Sequence, residues 1–356
     1  MADYDALMAQ ADAARGSRRR GEAEALYRQA IQAAPERPEP LHYLAGLRVL
    51  AGDLAEAEAL YRAALARDGS ADASARGLAS VLLEQGRYRE GFAYWEARHQ
   101  LARMAKPPLP FAEWRGEPIA GKRLLVWPEQ GFGDQIQFAR FLPMLQARGA
   151  ELTVFCRPGL ERLLSQWPGV DVRPADGPVE FPDPDYWVMF CSLAGRMGLE
   201  VGDIPGGAYL RAPQEGPSPP AGARIGVMTA GNPEHGNDAH RSLPAEQAAR
   251  LHALPGTIDL SPASTGARDF ADTAKIIAGL DLVISVDTSA AHLAGALGRP
   301  CWTLLPAVGT DWRWMHGRRD TPWYESMRLY RQPGEGRWAE VVDQVLEDAA
   351  GLNGRR

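Results

Sequence analysis

The chain has 356 residues, of which 45% are hydrophobic and 24% charged, and its formal net charge is −6. This length is typical of two or three domains, and the acidic balance argues against a general nucleic-acid-binding protein. The first residues are acidic and polar, so no secretory signal is predicted, and no apolar run approaches the roughly 18 residues that span a bilayer. We therefore expect a cytoplasmic protein.

The cysteines do not form a metal-binding or disulfide framework. Cys156, Cys191 and Cys301 each lie in an apolar, strand-like stretch, and none belongs to a CxxC spacing. This pattern is typical of buried thiols in a reducing compartment.

A repeat occupies the first hundred residues. The heptapeptide EAEALYR at 22–28 recurs thirty-four residues later at 56–62, and Gly52 recurs in the same register as Gly86. Apolar residues one helical turn apart form a stripe that only stacking between repeats can bury. Over residues 3–100 the pattern resembles the tetratricopeptide repeat, which implies helical hairpins. Such an array is expected either to bind a protein or to serve in dimerisation or as a spacer.

Proline-rich segments divide the rest of the chain. The run Lys106 to Pro110 ends the helical pattern, and the run Gln214 to Gly222 separates two α/β patterns. Strands that alternate with helices predict parallel sheets covered on both faces. The predicted domains are a repeat array at 1–105, a first α/β domain at 106–213, a linker at 214–222 and a second α/β domain at 223–356.

Apolar runs and helical periodicity locate the elements of the two α/β domains. The predicted strands are 122–127, 152–156, 170–172, 186–191, 224–228, 258–260, 282–286 and 301–305. The predicted helices are 135–148, 160–167, one that starts at 243–244, 270–280, 290–297 and 338–352.

A glycine-rich turn follows the first predicted strand. The pair Gly131 and Gly133 resembles part of a dinucleotide-binding fingerprint, but Ile136 stands where its third glycine is required. The turn instead presents the carboxylate of Asp134 at the start of a helix, where the glycines allow a ligand close to the backbone. The alternative is that Asp134 only caps the helix. Candidate site residues of this turn also include Gln130, Gly131, Gly133 and Gln135.

A second polar turn lies between the predicted strand 282–286 and the helix 290–297. Asp287, Thr288 and Ser289 are cap-type residues, and a helix that starts here offers free N–H groups and a positive dipole end to an anion. His292 lies one helical turn further on. The alternative is that these residues only cap the helix and that His292 is a core histidine.

Two loops and one acidic pair complete the candidates. The polar loop 229–242 follows a strand, where long loops are usually functional, and its candidate residues are Asn232, His235 and Arg241. The loop 309–314 adds Gly309 and Asp311. The pair Asp183-Pro-Asp185 has the form of a DxD metal motif, but the surrounding prolines favour a turn, so no metal site is predicted.

Four stretches carry a resemblance to a known family: WPEQGFGDQIQFARFLP, TAGNPEHGNDAHRS, SVDTSAAHLAGALGRPCWTLLP and GTDWRW. They resemble the heptosyltransferase-like (family 9-like) glycosyltransferases of the GT-B fold. With its repeats, the chain is similar to bacterial repeat-containing glycosyltransferases and more loosely to the O-linked N-acetylglucosamine transferases. The resemblance implies an α-helical repeat array followed by a GT-B pair of Rossmann-like α/β domains, the first for the acceptor and the second for the donor.

The resemblance also implies roles for individual residues. Asp134 falls on the position of the general base, and Arg241 on that of a cation facing the donor diphosphate. The donor phosphate and sugar motif falls on Asp287, Thr288, Ser289 and His292, and Asn232 is a further candidate for donor binding. A nucleotide sugar is the implied co-substrate, with no metal ion and no other cofactor.

The acceptor is predicted from departures from the family pattern. Thr229 stands where tryptophan is expected, the α/β domains are compact, and basic membrane-docking helices are not evident. We therefore expect inverting, metal-independent transfer to a protein or peptide hydroxyl selected by the repeats. The alternatives are a non-catalytic adaptor with a degenerate transferase fold, or a transferase acting on a lipid-linked or surface glycan. A homo-oligomer is also compatible with the sequence.

Overall fold

The computed structural model describes residues 3–353. The chain divides into two compact units, one ending at Pro107 and the other beginning at Pro108. Within the described range, none of the helices combines the length and apolar character that crossing a membrane requires.

The first unit consists of helices that pack in consecutive pairs, as the repeat predicts. Their bounds are α1 Tyr4–Gly16, α2 Arg20–Ala33, α3 Glu39–Leu50, α4 Leu54–Arg67, α5 Asp72–Glu84 and α6 Tyr88–Trp95. Tyr27 of α2 shares a buried apolar cluster with Leu44 and Leu47 of α3, and Ala30 of α2 is also buried, so the predicted apolar stripe contributes to the contact surface between repeats. The prediction of a helical repeat array is confirmed.

Contacts between successive repeats recur with the period of the sequence. Arg28 pairs with Glu56 at 2.7 Å, and thirty-four residues later Arg62 pairs with Glu90 at 2.5 Å. Exposed ion pairs of this kind contribute only about 0.2–1 kcal/mol each. The buried tyrosines and alanines therefore supply most of the cohesion of the array.

The first sheet of the second unit is parallel, with the strand order β3-β2-β1-β4. Its strands are β1 Arg123–Trp127, β2 Glu151–Cys156, β3 Val170–Pro174 and β4 Tyr186–Met189. The accompanying helices are α7 Phe132–Phe138, α8 Leu142–Ala147, α9 Glu161–Leu164 and α10 Leu193–Arg196.

The predicted helix 135–148 is wrong as a continuous element. A 3₁₀ turn at Ala139–Phe141 separates α7 from α8. Pro143, at the second position of α8, has no N–H group, and its ring is incompatible with an unbroken helix through the preceding turn. The predicted helix 160–167 is likewise shorter, because α9 ends at Leu164.

The second sheet is also parallel, with the strand order β6-β5-β7-β8-β9. Its strands are β5 Ile225–Met228, β6 Thr257–Asp259, β7 Leu282–Val286, β8 Cys301–Leu305 and β9 Met327–Arg331. The helices are α11 Asp238–Arg241, α12 Ala245–His252, α13 Pro262–Thr265, α14 Phe270–Ala278, α15 Ser289–Ala296 and α16 Trp338–Asn353. The strand β9 was not predicted. All residues of β7 and β8 are buried, as expected for central strands.

The strand orders locate the ligand-binding edges. Connections reverse direction between β1 and β4 in the first sheet and between β5 and β7 in the second. In open α/β sheets, ligands bind outside the carboxyl ends of the strands at such reversals. The turn after β1 and the turn after β7 both lie at these edges, and they belong to the same compact unit. The helical array followed by two parallel α/β sheets confirms the predicted fold class.

Candidate functional site

The turn after β1 places Asp134 in the first turn of α7. Gln130 adopts a left-handed conformation with φ of 57°, and Gly131 is the N-cap residue of the helix. Asp134 is the third residue of α7, which begins three residues before the predicted helix, and its Oδ2 accepts a hydrogen bond from the Gly131 N–H at 2.9 Å. Oδ2 of Asp134 thus stabilises the start of the helix. Oδ1 remains available for a different partner.

The turn after β7 leaves the amino end of α15 without a side-chain cap. Thr288 is the N-cap residue in extended conformation, but its hydroxyl pairs with the Ser285 hydroxyl at 3.0 Å and not with a helix N–H. First-turn N–H groups of a helix have no partner within the helix, and they carry its positive dipole end. This end of α15 is therefore suited to a phosphate group.

The two turns are in direct contact. A Cβ atom added at Gly133 would lie 2.8 Å from Cδ2 of His292 and 3.5 Å from Cα of Ser289. The first distance is too short for a side chain to fit without movement. Glycine at this position therefore lets α7 of the first sheet meet α15 of the second, and it brings Asp134 to the same site as the turn after β7.

Arg313 links the two halves of the site. Its Nη2 lies 2.6 Å from Oδ1 of Asp134 and its Nη1 lies 2.9 Å from Oδ2 of Asp311, while Nε donates to the Gln137 side chain. The Arg313 side chain is only 4% exposed. Arg313 lies in a predicted candidate loop, but no role was predicted for it. Its partner Asp134 is 179 residues away along the chain, so no local pattern indicates their contact.

Burial makes both candidate carboxylates more basic than exposed aspartates. Burial raises the pKa of Asp134, while the Arg313 charge opposes the increase. The pKa of Asp287 is raised to about 6, first by burial and then by the charge of Asp311, and Arg241 and Arg313 oppose this shift. A carboxylate with a raised pKa is a better acceptor for a substrate proton.

His292 is held neutral. Burial and the positive charges of Arg313, Arg140 and Arg241 hold its pKa well below the usual range. Its ring stacks on Trp314, with centroids 5.3 Å apart. Nδ1 lies 2.9 Å from the Tyr324 hydroxyl, and Nε2 lies 4.0 Å from Oδ1 of Asp287.

Arg241 is bound to the turn after β7. Its Nη1 donates to the backbone carbonyl of Asp287 at 2.9 Å, and its Nε lies 3.0 Å from Oδ1 of Asp238. The side chain is mostly buried. A guanidinium group and a helix amino end therefore lie side by side at the carboxyl edge of the second sheet.

The other candidates of the two loops shape the loops themselves. The Asn232 side chain accepts the Glu234 N–H at 3.0 Å, and Nδ1 of His235 accepts the Asn237 N–H at 3.2 Å. Nδ2 of Asn237 donates to the Gly309 carbonyl at 2.8 Å, which joins the loop 229–242 to the loop that follows β8. The joining residue Asn237 was not among the predicted site residues.

Gln135 supports the turn after β1. It is fully buried, donates weakly to the Glu129 carbonyl at 3.4 Å and accepts the Arg157 N–H at 3.0 Å. These bonds fix α7 against the end of β2. The neighbouring Gln130 keeps its Nε2 buried, without a hydrogen bond to the described residues.

A cavity of about 230 Å³ adjoins the amino end of α15. Met228, Leu260 and Phe270 contribute apolar walls from the second sheet and α14, and Phe132 of α7 contributes another, with its ring centroid 4.8 Å from that of Phe270. The wall of this cavity also includes Ser289, so an apolar ring system in the cavity would lie beside the amino end of α15.

A larger cavity of about 520 Å³ lies at the opposite, amino-terminal edge of the first sheet, away from the candidate residues. Arg123 at this edge pairs with Asp183 at 3.3 Å and with Asp185 at 3.6 Å. The DxD pair is therefore engaged by an arginine at the edge opposite to the site.

Comparison with known proteins supports the predicted resemblance. Residues 228–307 match the model of the family described as glycosyltransferase family 9 (heptosyltransferase). The chain is 25% identical over 376 aligned residues to Protein FlbA of Caulobacter vibrioides, an alignment that covers 89% of this chain and 62% of FlbA. The chain thus spans less than two thirds of the length of this relative.

Solved structures show similarity at low identity. The glycosyl transferase family 9 protein from Veillonella parvula is 12% identical, with 67% of this chain and 99% of that chain covered and a TM-score of 0.46. E. coli heptosyltransferase WaaC with ADP-2-deoxy-2-fluoro heptose is 16% identical, with 64% and 99% covered and a TM-score of 0.40. The Sgt2 TPR domain from Aspergillus fumigatus is 21% identical, with 28% and 66% covered and a TM-score of 0.27.

Proposed function

We propose that the chain transfers a sugar from a nucleotide-sugar donor to a hydroxyl acceptor, because residues 228–307 match the model of glycosyltransferase family 9 (heptosyltransferase). One observation carries this proposal. Gly133 contacts His292 and Ser289, so the carboxylate of Asp134 and the amino end of α15 face one site. Such a transfer needs a base for the acceptor and a cationic site for the leaving diphosphate, and the two turns offer both.

The donor would bind at the second sheet. The amino end of α15 and the guanidinium of Arg241 lie side by side and could receive the diphosphate, since hydrogen bonds from a guanidinium to phosphate oxygens are charge-assisted and stronger than neutral ones. The cavity beside Phe270 and Ser289 would receive the nucleobase. These protein groups can neutralise the departing diphosphate, so the proposed reaction uses neither a metal ion nor another cofactor.

The acceptor hydroxyl would be activated by Asp134. Its carboxylate takes the hydroxyl proton, the acceptor oxygen forms a bond to the anomeric carbon, and the bond from that carbon to the diphosphate oxygen breaks. A single displacement of this kind inverts the anomeric configuration. Arg313 and Gly131 each engage one carboxylate oxygen, which orients the group while further lone pairs stay available. A positioned base contributes typically about 10²–10⁴-fold to such a reaction.

The repeats would select the acceptor, which we propose to be a protein or peptide. Stacked helical repeats form extended binding surfaces, and this chain carries them in addition to its transferase domain. A lipid-linked or surface glycan is the competing acceptor class, and an adaptor without turnover is the competing function.

Thermal unfolding in the presence of ADP-, GDP-, UDP- and CMP-sugars tests donor binding. A ligand at 100 times its Kd adds about 2.7 kcal/mol to the free energy of unfolding. Stabilisation by one donor class followed by transfer to a peptide would support the proposal. No stabilisation by any of them would favour the adaptor, and transfer to glycan acceptors alone would assign the competing acceptor class.

A further inference from the structure

The cavity at the amino end of α15 is lined from both α/β halves. Met228, Leu260 and Phe270 belong to the half built on the second sheet, whereas Phe132 and Gly159 belong to the half built on the first sheet. Its volume of about 230 Å³ is below the roughly 300–1,000 Å³ of pockets that enclose drug-sized ligands. The cavity therefore suits one ring system, such as a nucleobase, and not a whole nucleotide sugar.

Three neighbours fix the Phe132 ring beside the cavity. Its centroid lies 4.8 Å from that of Phe270. A Cβ atom added at Gly159 would lie 3.4 Å from Cε1 of Phe132, so the backbone there runs close beside the ring. The guanidinium carbon of Arg157 lies 5.1 Å from the Phe132 centroid, which is a cation–π arrangement. The N–H group of Arg157 in turn donates to Oε1 of the buried Gln135 at 3.0 Å.

Three polar side chains of the cavity wall already have partners within the protein. Asp269 accepts the Asp272 N–H at 3.0 Å and pairs with Arg162 at 3.1 Å. The Thr273 hydroxyl donates to the Asp269 carbonyl at 3.1 Å, and Arg268 pairs with Asp272 at 2.6 Å. These groups offer a ligand few additional hydrogen bonds, so the wall favours the flat face of an aromatic ring.

Phe132 also belongs to the turn that carries Asp134. It is the first residue of α7, and it lies between the N-cap residue Gly131 and Asp134. The hydrogen bond from the Gly131 N–H to Oδ2 of Asp134, at 2.9 Å, spans Phe132. A displacement of Phe132 would therefore disturb the contact that orients the carboxylate.

We propose that Phe132 is a specificity-determining residue that stacks on the nucleobase of the donor and links the occupied cavity to the Asp134 turn. This inference rests on the proposed function, which assigns the cavity to the nucleobase. The base then contacts a side chain two residues from the proposed general base. Binding energy from a remote part of the substrate can serve in this way to orient groups at the reacting centre.

Calorimetric titration of the full chain with ADP, GDP, UDP, CDP and inorganic pyrophosphate tests the contact. For the nucleoside diphosphate that binds the native chain most tightly, Phe132→Ala should raise the Kd about 5–150-fold, the range expected for the loss of one base–aromatic stack. The Kd of pyrophosphate, which has no base, should not change. Phe132→Tyr keeps the aromatic face and should retain the native Kd for both ligands.

Phe132→Leu and Phe181→Ala complete the binding comparison. Phe132→Leu keeps much of the apolar volume and removes the aromatic face, so it gives the same test with less disturbance of folding. Phe181 is also a half-buried phenylalanine of the first half, but it packs on Trp127 and Phe155 and does not line the cavity. Phe181→Ala should leave both Kd values unchanged. An unchanged nucleotide Kd in the Phe132 variants, or equal losses for pyrophosphate or in Phe181→Ala, would overturn the contact.

Hydrogen exchange of the backbone amides at 131–135 tests the link to the Asp134 turn. At saturating nucleoside diphosphate, these amides should exchange more slowly than in the free native chain, and saturating pyrophosphate should not reproduce this protection. Phe132→Leu should lose the protection, whereas Phe270→Leu, which alters the same cavity from the second half, should keep it. Equal protection by pyrophosphate, or retention of the protection in Phe132→Leu, would overturn the link.

The outcomes separate this inference from the proposed function. Binding of none of the four nucleoside diphosphates by the native chain would refute the proposed donor site and this inference together. Nucleotide binding that does not depend on Phe132 would refute this inference alone. Neither measurement requires turnover or an acceptor.

Discussion

Arg313→Met is expected to destabilise the second unit, because it leaves the carboxylate of Asp134 without its charged partner. Arg313 also bonds to Asp311 and Gln137, and its side chain is 4% exposed. Methionine fills a similar length and removes only the charge and the donors. The variant therefore measures how much the contacts of Arg313 contribute to the free energy of unfolding.

The expected cost follows from the exposure of the partners. Removal of one member of a buried ion pair typically costs about 3–5 kcal/mol. The side chains of Asp134 and Asp311 are 20% and 36% exposed, so water can compensate part of the loss. We expect the lower end of the range, about 3 kcal/mol. For a unit of this size, that loss corresponds to a fall in Tm of roughly 6–12 °C.

The pH dependence of the loss identifies its cause. Burial already raises the pKa of Asp134, and removal of the opposing Arg313 charge raises it further. A carboxyl group with a raised pKa in the folded state destabilises the fold where it is ionised, and the penalty disappears as the pH falls through that pKa. The difference in unfolding free energy between native and variant should therefore be largest near neutral pH and shrink toward acidic pH.

Urea unfolding followed by tryptophan fluorescence measures this difference, since every tryptophan except Trp95 lies beyond Pro107. The control is Arg313→Met in an Asp134→Asn background. There the substitution should cost less by about 1 kcal/mol or more, because no buried charge is left behind. An equal cost in both backgrounds, with no dependence on pH, would refute the inferred coupling.

Further predictions concern the donor site and the repeats. Arg241→Gln should weaken binding of nucleoside diphosphates by about 1.5–3 kcal/mol in calorimetric titrations, since a hydrogen bond to a charged group is lost. Unchanged affinity would show that Arg241 does not bind the phosphates. Gly77→Ala should lower the free energy of unfolding of the repeats by about 1–3 kcal/mol in urea denaturation followed by circular dichroism, because its Cβ atom would lie 2.3 Å from Cζ of Tyr61. The control Gly69→Ala, with no atom within 4 Å of the added Cβ, should change stability far less, and an equal change in both variants would contradict the packing explanation.

Much of the fold follows from local patterns in the sequence. The apolar runs at 282–286 and 301–305 became β7 and β8 with the predicted bounds, because each run is buried on both faces and ends at turn residues. The thirty-four-residue period likewise required stacked helices. By contrast, Pro143 was visible in the sequence, yet the apolar period of the surrounding helix concealed the break that it causes. The apolar residues of the strand β9 are interrupted by Arg328 and followed by Arg331, a weaker signal than the continuous runs.

The site was only partly predictable, for a physical reason. Asp134, Asp287 and His292 follow strands or begin helices, so their position at a sheet edge can be inferred from local sequence. The partners that set their chemistry come from distant, irregular segments. Arg313 reaches Asp134 across 179 residues, and Tyr324 reaches His292 from a segment without regular structure. No period or motif encodes such contacts, since they depend on how the two sheets face each other.

The measurement that tests the central claim most directly is the activity of Asp134→Asn. The assay uses the donor that stabilises the native chain most and an acceptor that the native chain glycosylates, with donor affinity measured in parallel by calorimetry. We predict that kcat falls about 10²–10⁴-fold, while the donor Kd stays within about twofold, because the carboxylate acts on the acceptor proton and not on the donor. Transfer at the native rate by Asp134→Asn would contradict the account.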